Sequence, residues 1–237
     1  MSTYLLCIPT YNEAENILEV LTRTLALGIE GLEILVIDDS SPDGTSELVS
    51  GIQSPKIHLL NRTKKEGLGP AYLAGFKWGL KREFEYFIEM DADGSHQPEE
   101  LPRLIASTPG VDLVLGTRWM KGGKVENWPL YRRAISRMGT WYAEIALKLP
   151  YKDLTGGYRI LSRKLLESID LHEIETIGYG FQVEMAMRAH DCGLIVREVP
   201  ITFVERTKGK SKMNRKIVLE ALIRTTQWGL QRRLYRR

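Results

Sequence analysis

The sequence predicts an α/β protein built on a mostly parallel central sheet flanked by helices, and three observations carry that expectation. Short apolar, β-prone runs at 4–8, 33–37, 56–60, 85–90 and 112–116 alternate with helix-like segments at about 13–27, 44–51, 69–82 and 98–107. Such alternation marks βαβ units. One run, Glu85-Tyr-Phe-Ile-Glu-Met, ends abruptly in two carboxylates spaced i, i+2, Asp91 and Asp93. Another, Glu33-Ile-Leu-Val-Ile37, leads straight into Asp38 and Asp39. In open α/β sheets ligands bind outside the carboxyl ends of the strands, so these two acidic ends are expected to face one crevice.

The first strand lies within Met1-Ser-Thr-Tyr-Leu-Leu-Cys-Ile-Pro9, which lacks a basic leader and whose apolar stretch is too short for a signal peptide. After the second strand, Ser40 to Gly44 reads as a turn feeding a helix, with Asp43 or Thr45 as its cap, while Asp39 can accept hydrogen bonds from a base or ribose. The two readings are compatible. Gly67-Leu-Gly69 follows no strand directly and lacks the third glycine of a dinucleotide fingerprint, which disfavours a hydride-transfer enzyme. Beyond Arg118 the texture changes. Lys121-Gly-Gly-Lys124 reads as a loop, and Pro129 opens a helix carrying Tyr131, Ile135, Met138 and Tyr142 on one apolar face. A strand at 157–161, a helix at 180–191 and a strand from Ile195 to Val204 follow. The chain closes with a helix from about Met213 to Tyr235. Its stripe Leu219, Ile223, Leu230, Leu234 lies beside Arg215, Lys216, Arg224, Arg232 and Arg233. Packing of that stripe on the core is the commoner outcome for such a helix, with membrane contact the rival.

At 237 residues the chain can bury a full core as one large domain. Its 43% hydrophobic and 27% charged residues are those of an ordinary globular protein, and no run approaches the roughly 18 apolar residues of a membrane span. Two cysteines, Cys7 and Cys192, show no ligand spacing, which favours a reducing, cytoplasmic setting. The net charge of +3 conceals an asymmetry: from Arg206 onward eleven Lys or Arg face the single acid Glu220. A basic end calls for an anionic partner. Nucleic acid is disfavoured, because no RNA-binding signature or aromatic platform accompanies the charge.

Paired aspartates at a strand end offer hard oxygens suited to Mg2+ or Mn2+. A magnesium-type ion takes one or two carboxylates, keeps several waters and completes its shell with substrate phosphates. The expected ligand is therefore a diphosphate.

Pro9-Thr-Tyr11-Asn-Glu13, Ile37-Asp38-Asp39 through Gly44, Gly67-Leu-Gly69 and Met90-Asp91-Ala92-Asp93 together resemble the family 2 glycosyltransferases of the GT-A fold. Gly116-Thr-Arg118, Trp128-Pro129, Asp153 through Arg159, Gly178 through Gln182, Glu198 through Arg206 and Gly209 through Lys212 are similar to the dolichol- or polyprenol-phosphate mannosyltransferases within that family. The motifs span nearly the whole chain in order. The resemblance implies a transferase domain over 1–212 and a basic amphipathic helix over 213–237, packed on it or extending from it. It implies inverting transfer of mannose from GDP-mannose to a dolichyl or polyprenyl monophosphate, with Mg2+ or Mn2+. UDP-glucose is the alternative donor, and a non-catalytic nucleotide-sugar-binding membrane scaffold the alternative of another class.

By the same resemblance Pro9, Tyr11, Glu13, Ile37 and Asp39 line the nucleoside pocket, while Asp91, Ala92 and Asp93 meet the diphosphate and metal. Ser95 is a third and poorer metal ligand, standing where many relatives carry glutamine. Arg118, Arg206 and Lys212 complete the sugar-nucleotide set, and Asp91, Asp93 and Arg118 form the catalytic group. A phosphate monoester, with its second pKa about 6, is already a nucleophile near neutral pH, so the acceptor needs cations rather than a base. Arg118, Arg132, Arg133, Ser136 and Arg206 are the candidates to hold it. Arg132 and Ser136 sit one helical turn apart on one face, as do Arg133 and Arg137 on the next. Relatives anchored by transmembrane helices carry them after this point. A chain without them is expected to be peripheral on the cytoplasmic face, held by an anionic membrane surface or by a separate anchoring subunit.

Overall fold

The computed structural model describes residues 2–174, 176–178, 180–206, 208 and 215–235, without the side chains of 215–217 and 235. Nine strands run in the order β1 (Tyr4–Thr10), β2 (Leu32–Asp38), β3 (Ile57–Asn61), β4 (Tyr86–Glu89), β5 (Leu113–Thr117), β6 (Lys124–Glu126), β7 (Arg159–Ser162), β8 (Val196–Pro200) and β9 (Thr202–Val204). Seven form the main sheet in the order β3-β2-β1-β4-β7-β5-β8, and β6 pairs with β9 in a small second sheet. Only β7 runs antiparallel to its neighbours in the main sheet. Central strands of such a sheet are covered on both faces, which is why β1 and β2 read as unbroken apolar runs rather than alternating ones.

Register places the site. Thr10 pairs with Asp38, and Cys7 with Glu89, so the chain leaves β1, β2 and β4 at one edge of the sheet. Tyr11 to Glu13, Asp39 and Asp91 emerge there together. The helices α1 (Ile17–Ala26), α2 (Thr45–Ser50), α3 (Leu68–Leu80), α4 (Leu101–Ile105), α5 (Leu130–Leu147), α6 (Arg163–Ser168), α7 (Gly180–Asp191) and α8 (Arg215–Tyr235) complete the fold. Two apolar clusters fill the space between helices and sheet, one around Leu35, Tyr72, Phe76, Phe87 and Phe181 and the other around Ile8, Val36, Ile88 and Tyr158. The Gly67-Leu-Gly69 motif has a packing reason. Gly67 sits at φ +110°, and a Cβ there would fall 2.2 Å from Ile177 Cγ2, while one on Gly69 would fall 2.3 Å from the Thr176 carbonyl. Only glycine lets the start of α3 approach the segment before α7 this closely.

Several boundaries depart from the sequence reading. The first helix begins at Ile17, not near 13, because the Glu13 carbonyl accepts the N–H groups of both Asn16 and Ile17 in a turn. The helix expected over 98–107 splits into a 3-10 turn at Pro98–Glu100 and α4, with Pro102 at the joint. The strand expected from Ile195 to Val204 divides at Ile201 between the two sheets. The largest correction concerns the last helix. Leu219, Ile223, Leu230 and Leu234 face outward, and α8 packs instead through Thr225, Trp228 and Gly229. A Cβ on Gly229 would lie 2.6 Å from the Ala146 carbonyl, so the absence of a side chain there seats α8 against α5.

Candidate active site

The loops leaving β1 and β2 are tied to each other. Both oxygens of Asp38 are used: Oδ1 accepts from Thr10 Oγ1 at 2.8 Å and Ser41 Oγ at 2.6 Å, and Oδ2 from the Ser41 N–H at 2.8 Å. Asp43 accepts the Ala14 N–H at 3.0 Å and, through its other oxygen, the Thr45 hydroxyl at 2.6 Å. The turn at 40–44 therefore starts a helix and braces the 12–14 loop at once. Asp39 takes the Arg62 guanidinium at 2.5 Å and the Glu66 N–H at 3.3 Å. Burial raises its carboxyl above the ordinary range, and Arg62 opposes the rise. The Lys65 ammonium stands 3.7 Å over the Tyr11 ring, so that aromatic face already serves as a cation platform. Glu13 is buried and accepts the Asn16 amide at 2.9 Å.

Asp91 and Asp93 stand at the end of β4. Asp93 accepts the Ser95 N–H at 3.0 Å and an Arg206 Nη2 at 2.8 Å. The Asp91 side chain keeps 36% of its surface open to the cleft. It nevertheless sits among low-dielectric walls, and desolvation raises its carboxyl; Arg206 draws it down, while Asp93 and Glu13 push it further up. Among the described residues no side chain donates a hydrogen bond to that carboxylate. Two carboxylates that repel one another, one of them without a side-chain donor among the described residues, fit a divalent cation. Among the described residues no group of three or more His, Cys, Asp or Glu gathers for a metal.

Three of the four arginines expected to hold phosphate, Arg118, Arg132 and Arg206, are paired to an acid. Arg118 grips Asp153 bidentately, Nε at 2.7 Å and Nη2 at 2.8 Å, with its own N–H on the same carboxylate at 3.0 Å. Burial alone would raise Asp153, but the adjoining Arg118 outweighs it and the carboxyl lies below its usual range. Arg132 pairs with Glu205 and lies 4.3 Å from the Trp128 ring. Arg206 pairs with Asp93. Behind them Arg159 is fully buried and donates to the carbonyls of Gly156, Gln182 and Leu154 at 2.5–2.7 Å. It faces Glu89 across the strand pair, whose carboxyl burial pushes up to about 7. Gln182 lies near enough to favour the charged form of Glu89 without reaching ordinary hydrogen-bond geometry.

A cleft of about 430 Å³ joins these groups, a size usual for a small-ligand site. Of the expected residues, Pro9, Tyr11, Glu13, Asp39, Asp91, Ala92, Asp93, Arg118, Arg132, Ser136 and Arg206 line it. Ile37, Ser95 and Arg133 do not. Ile37 is buried in the core beneath it; Ser95 is buried, with its N–H on Asp93 and its carbonyl accepting from Val204; Arg133 turns to the Val125 carbonyl at 2.8 Å. Lys212 lies outside the described residues. Reading motifs alone assigned no role to Arg62, Lys65, His96, Asp153 or Thr155, all at or beside the wall. Their signal, a partner brought close from far along the chain, exists only after folding. Toward α5 and α8 the wall turns apolar, with Ile135, Tyr142, Ala143, Val218 and Leu222.

A mostly parallel sheet with one reversed strand, carrying an acid pair at the strand end above such a cleft, is the GT-A fold of glycosyltransferases. Solved structures of glucosyl-3-phosphoglycerate synthase from Mycobacterium tuberculosis share it. One with Mn2+, UDP and glucosyl-3-phosphoglycerate has TM-score 0.66 and 20% identity, covering 98% of this chain and 80% of that one. Another with Mn2+, UDP-glucose and phosphoglyceric acid has TM-score 0.69 and 18% identity, covering 95% and 80%. The chain belongs to glycosyl transferase family 2, whose model matches residues 5–170. It is similar to the undecaprenyl-phosphate mannosyltransferase of Micrococcus luteus, with 50% identity covering 95% of this chain and 93% of the relative. Likeness extends to the polyprenol monophosphomannose synthase of Mycolicibacterium smegmatis, 45% identical over 98% and 89% of the two chains. The dolichol-phosphate mannosyltransferase of Pyrococcus furiosus is 39% identical over 91% of this chain and 60% of its own length.

Proposed function

We propose that the protein transfers mannose from GDP-mannose to a polyprenyl or dolichyl monophosphate, inverting the anomeric centre. The observation that carries this reading is the continuity of one cleft. It begins at Tyr11, Asp39 and the acid pair, passes Arg118 and Arg206, and runs out as an apolar trough between α5 and α8. A sugar nucleotide fits the polar end, and a charged head on an isoprenoid chain fits the other. The mannosyl names of the relatives support the sugar.

Asp91 and Asp93 would hold a divalent cation, which when bound supplies positive charge against the departing diphosphate. Arg118, Arg132 and Arg206, with Ser136, hold the acceptor phosphate. One of its anionic oxygens attacks the anomeric carbon, and the bond from that carbon to the nucleotide diphosphate breaks with its electron pair leaving on the diphosphate. Attack opposite the leaving group inverts the centre. No side chain has to remove a proton, because the nucleophile is already anionic. The guanidiniums place positive charge beside the reacting carbon, which offsets the repulsion between two anionic substrates.

Among the described residues no helix is long and apolar enough to cross a membrane. The lipid must instead be met at a surface. Leu130, Tyr131, Met138 and Trp141 on α5 and Leu219, Leu230 and Leu234 on α8 stand exposed, with the exposed Arg233 and the half-buried Arg224 on the same helix as the last three. Apolar and cationic side chains in this mixture suit the anionic face of a cytoplasmic leaflet, reached directly or beside a separate anchoring subunit.

Purified protein incubated with GDP-mannose, Mn2+ and a polyprenyl phosphate should yield a mannolipid whose β-anomer is seen by NMR. Glucolipid from UDP-glucose with none from GDP-mannose would reassign the donor, and no glycolipid from either would overturn the reading.

A further inference from the structure

His96 lies three residues past the aspartate pair and is 1% exposed, although its ring borders the cleft. Its plane stacks on Tyr158 at 4.8 Å and meets the edge of Phe203 at 5.4 Å. Its main chain forms an isolated bridge with Phe203, the strand residue three before Arg206. Thus the ring cannot turn. Its Nδ1 accepts the main-chain N–H of Asp91 at 3.0 Å. The same nitrogen lies 3.7 Å from Asp91 Oδ2, and the two contacts demand different protonation. A lone pair aimed at an N–H cannot also carry a proton for the carboxylate, and 3.7 Å is too long for a hydrogen bond. The shorter contact decides: the proton sits on Nε2, the ring is neutral, and the link to Asp91 is through the backbone.

That link fixes the φ of the first aspartate, and with it the direction in which its side chain leaves the chain end of β4. Asp93 has a separate brace in the Ser95 N–H and Arg206. Among the described residues Asp91 has none on its carboxylate, so its aim rests on its main chain.

We propose that His96 is a positioning residue for the cation and diphosphate site, acting by its Nδ1 lone pair on the Asp91 amide rather than by filling space. The inference rests on the reading of Asp91 and Asp93 as cation ligands. Its test is a matched set of substitutions. In His96→Asn the Oδ1 atom falls where Nδ1 was and can accept the same N–H. In His96→Phe the stacking on Tyr158 survives and the acceptor is gone. His96→Leu, which shares the outline of Asn, repeats the contrast should the Phe variant not fold.

Mn2+ affinity is read by electron paramagnetic resonance of the free ion, with and without GDP, on protein whose near-ultraviolet circular dichroism matches wild type. Wild type and His96→Asn should bind within about threefold of each other. His96→Phe or His96→Leu should bind about tenfold more weakly, the lower end of what loss of an outer hydrogen bond costs a metal site. KM for GDP-mannose should rise in parallel. If the Phe and Leu variants bind Mn2+ as wild type does, the inference fails while the cation site stands. Equal weakening in all three variants also overturns it, since the acceptor would then not be what matters. Wild type that binds no Mn2+ even with GDP overturns the cation reading and this inference with it.

Discussion

At the nucleotide end of the cleft the polar groups are consumed by one another: Asp38 by Thr10 and Ser41, Asp43 by Ala14 and Thr45, Asp39 by Arg62 and Glu66. At the acceptor end the apolar groups are left over. Most of the side chains expected to form the apolar face of α5 and the stripe of α8 stand in solvent, Tyr131 at 69% and Leu234 at 73% exposure. One end is a rigid receptacle whose shape precedes its ligand; the other is an incomplete surface that a second phase would finish. On the proposed function, the difference is that of the two substrates, one a water-soluble anion and the other a lipid with an isoprenoid tail.

If the polar end is held by internal pairs, breaking the deepest should cost the most. Asp153 is fully buried and carries three hydrogen bonds from Arg118. Asp153→Asn leaves that guanidinium without its counter-charge and should lower unfolding free energy by about 3–5 kcal/mol, read by urea titration at pH 7. Because the folded carboxyl lies below its ordinary value, its contribution is complete above the unfolded pKa near 4 and is lost as pH falls through the folded one. The gap between wild type and variant should therefore begin to narrow below about pH 4 and close only below the folded pKa. A gap unchanged at low pH would mean that the loss is one of packing.

Asp91→Asn comes next. It keeps the outline and main-chain link of the side chain but removes the charge, and should lower kcat by about 10²–10³, the usual effect of deleting one preorganised electrostatic group. Stability should hold or rise, since burial and the repulsion of Asp93 and Glu13 already disfavour the charged form. A variant of unchanged rate would remove the acid pair from the chemistry.

The sequence was clear where one pattern permits one placement. An apolar run that ends in Asp91 and Asp93, or in Asp38 and Asp39, is a strand with its carboxyl end outward, and the parallel sheet then brings both ends to one edge. It was opaque in two respects. Periodicity in α8 showed a stripe without saying which side of the helix meets protein. Gly229 settles that by close approach to α5, with Thr225 buried one turn before it, and small residues carry little weight in a hydrophobic pattern. The braces of the site were equally hidden: Arg118 and Asp153 are 35 residues apart, and Arg62 and Asp39 are 23 apart. Such pairs are formed by topology rather than by any local signal. Ser95 and Ile37 mark the converse error. A motif position was carried over as contact, yet each side chain is buried away from the cleft wall.

The mildest change to the folded protein tests the unfinished surface. Leu219→Ser together with Leu230→Ser removes two outward side chains of α8 at 57% and 55% exposure. Because exposed positions contribute little to folding, stability should stay within about 0.5 kcal/mol per site. Binding to vesicles of phosphatidylglycerol and phosphatidylcholine, measured by co-sedimentation, should weaken on the order of tenfold per residue if each side chain enters the acyl boundary. Turnover of a short water-soluble prenyl phosphate should not change, because neither residue lines the cleft. If vesicle binding also stays constant, α8 does not face lipid. If instead the protein unfolds easily, these leucines cover a core, and the contrast between the two ends of the cleft disappears.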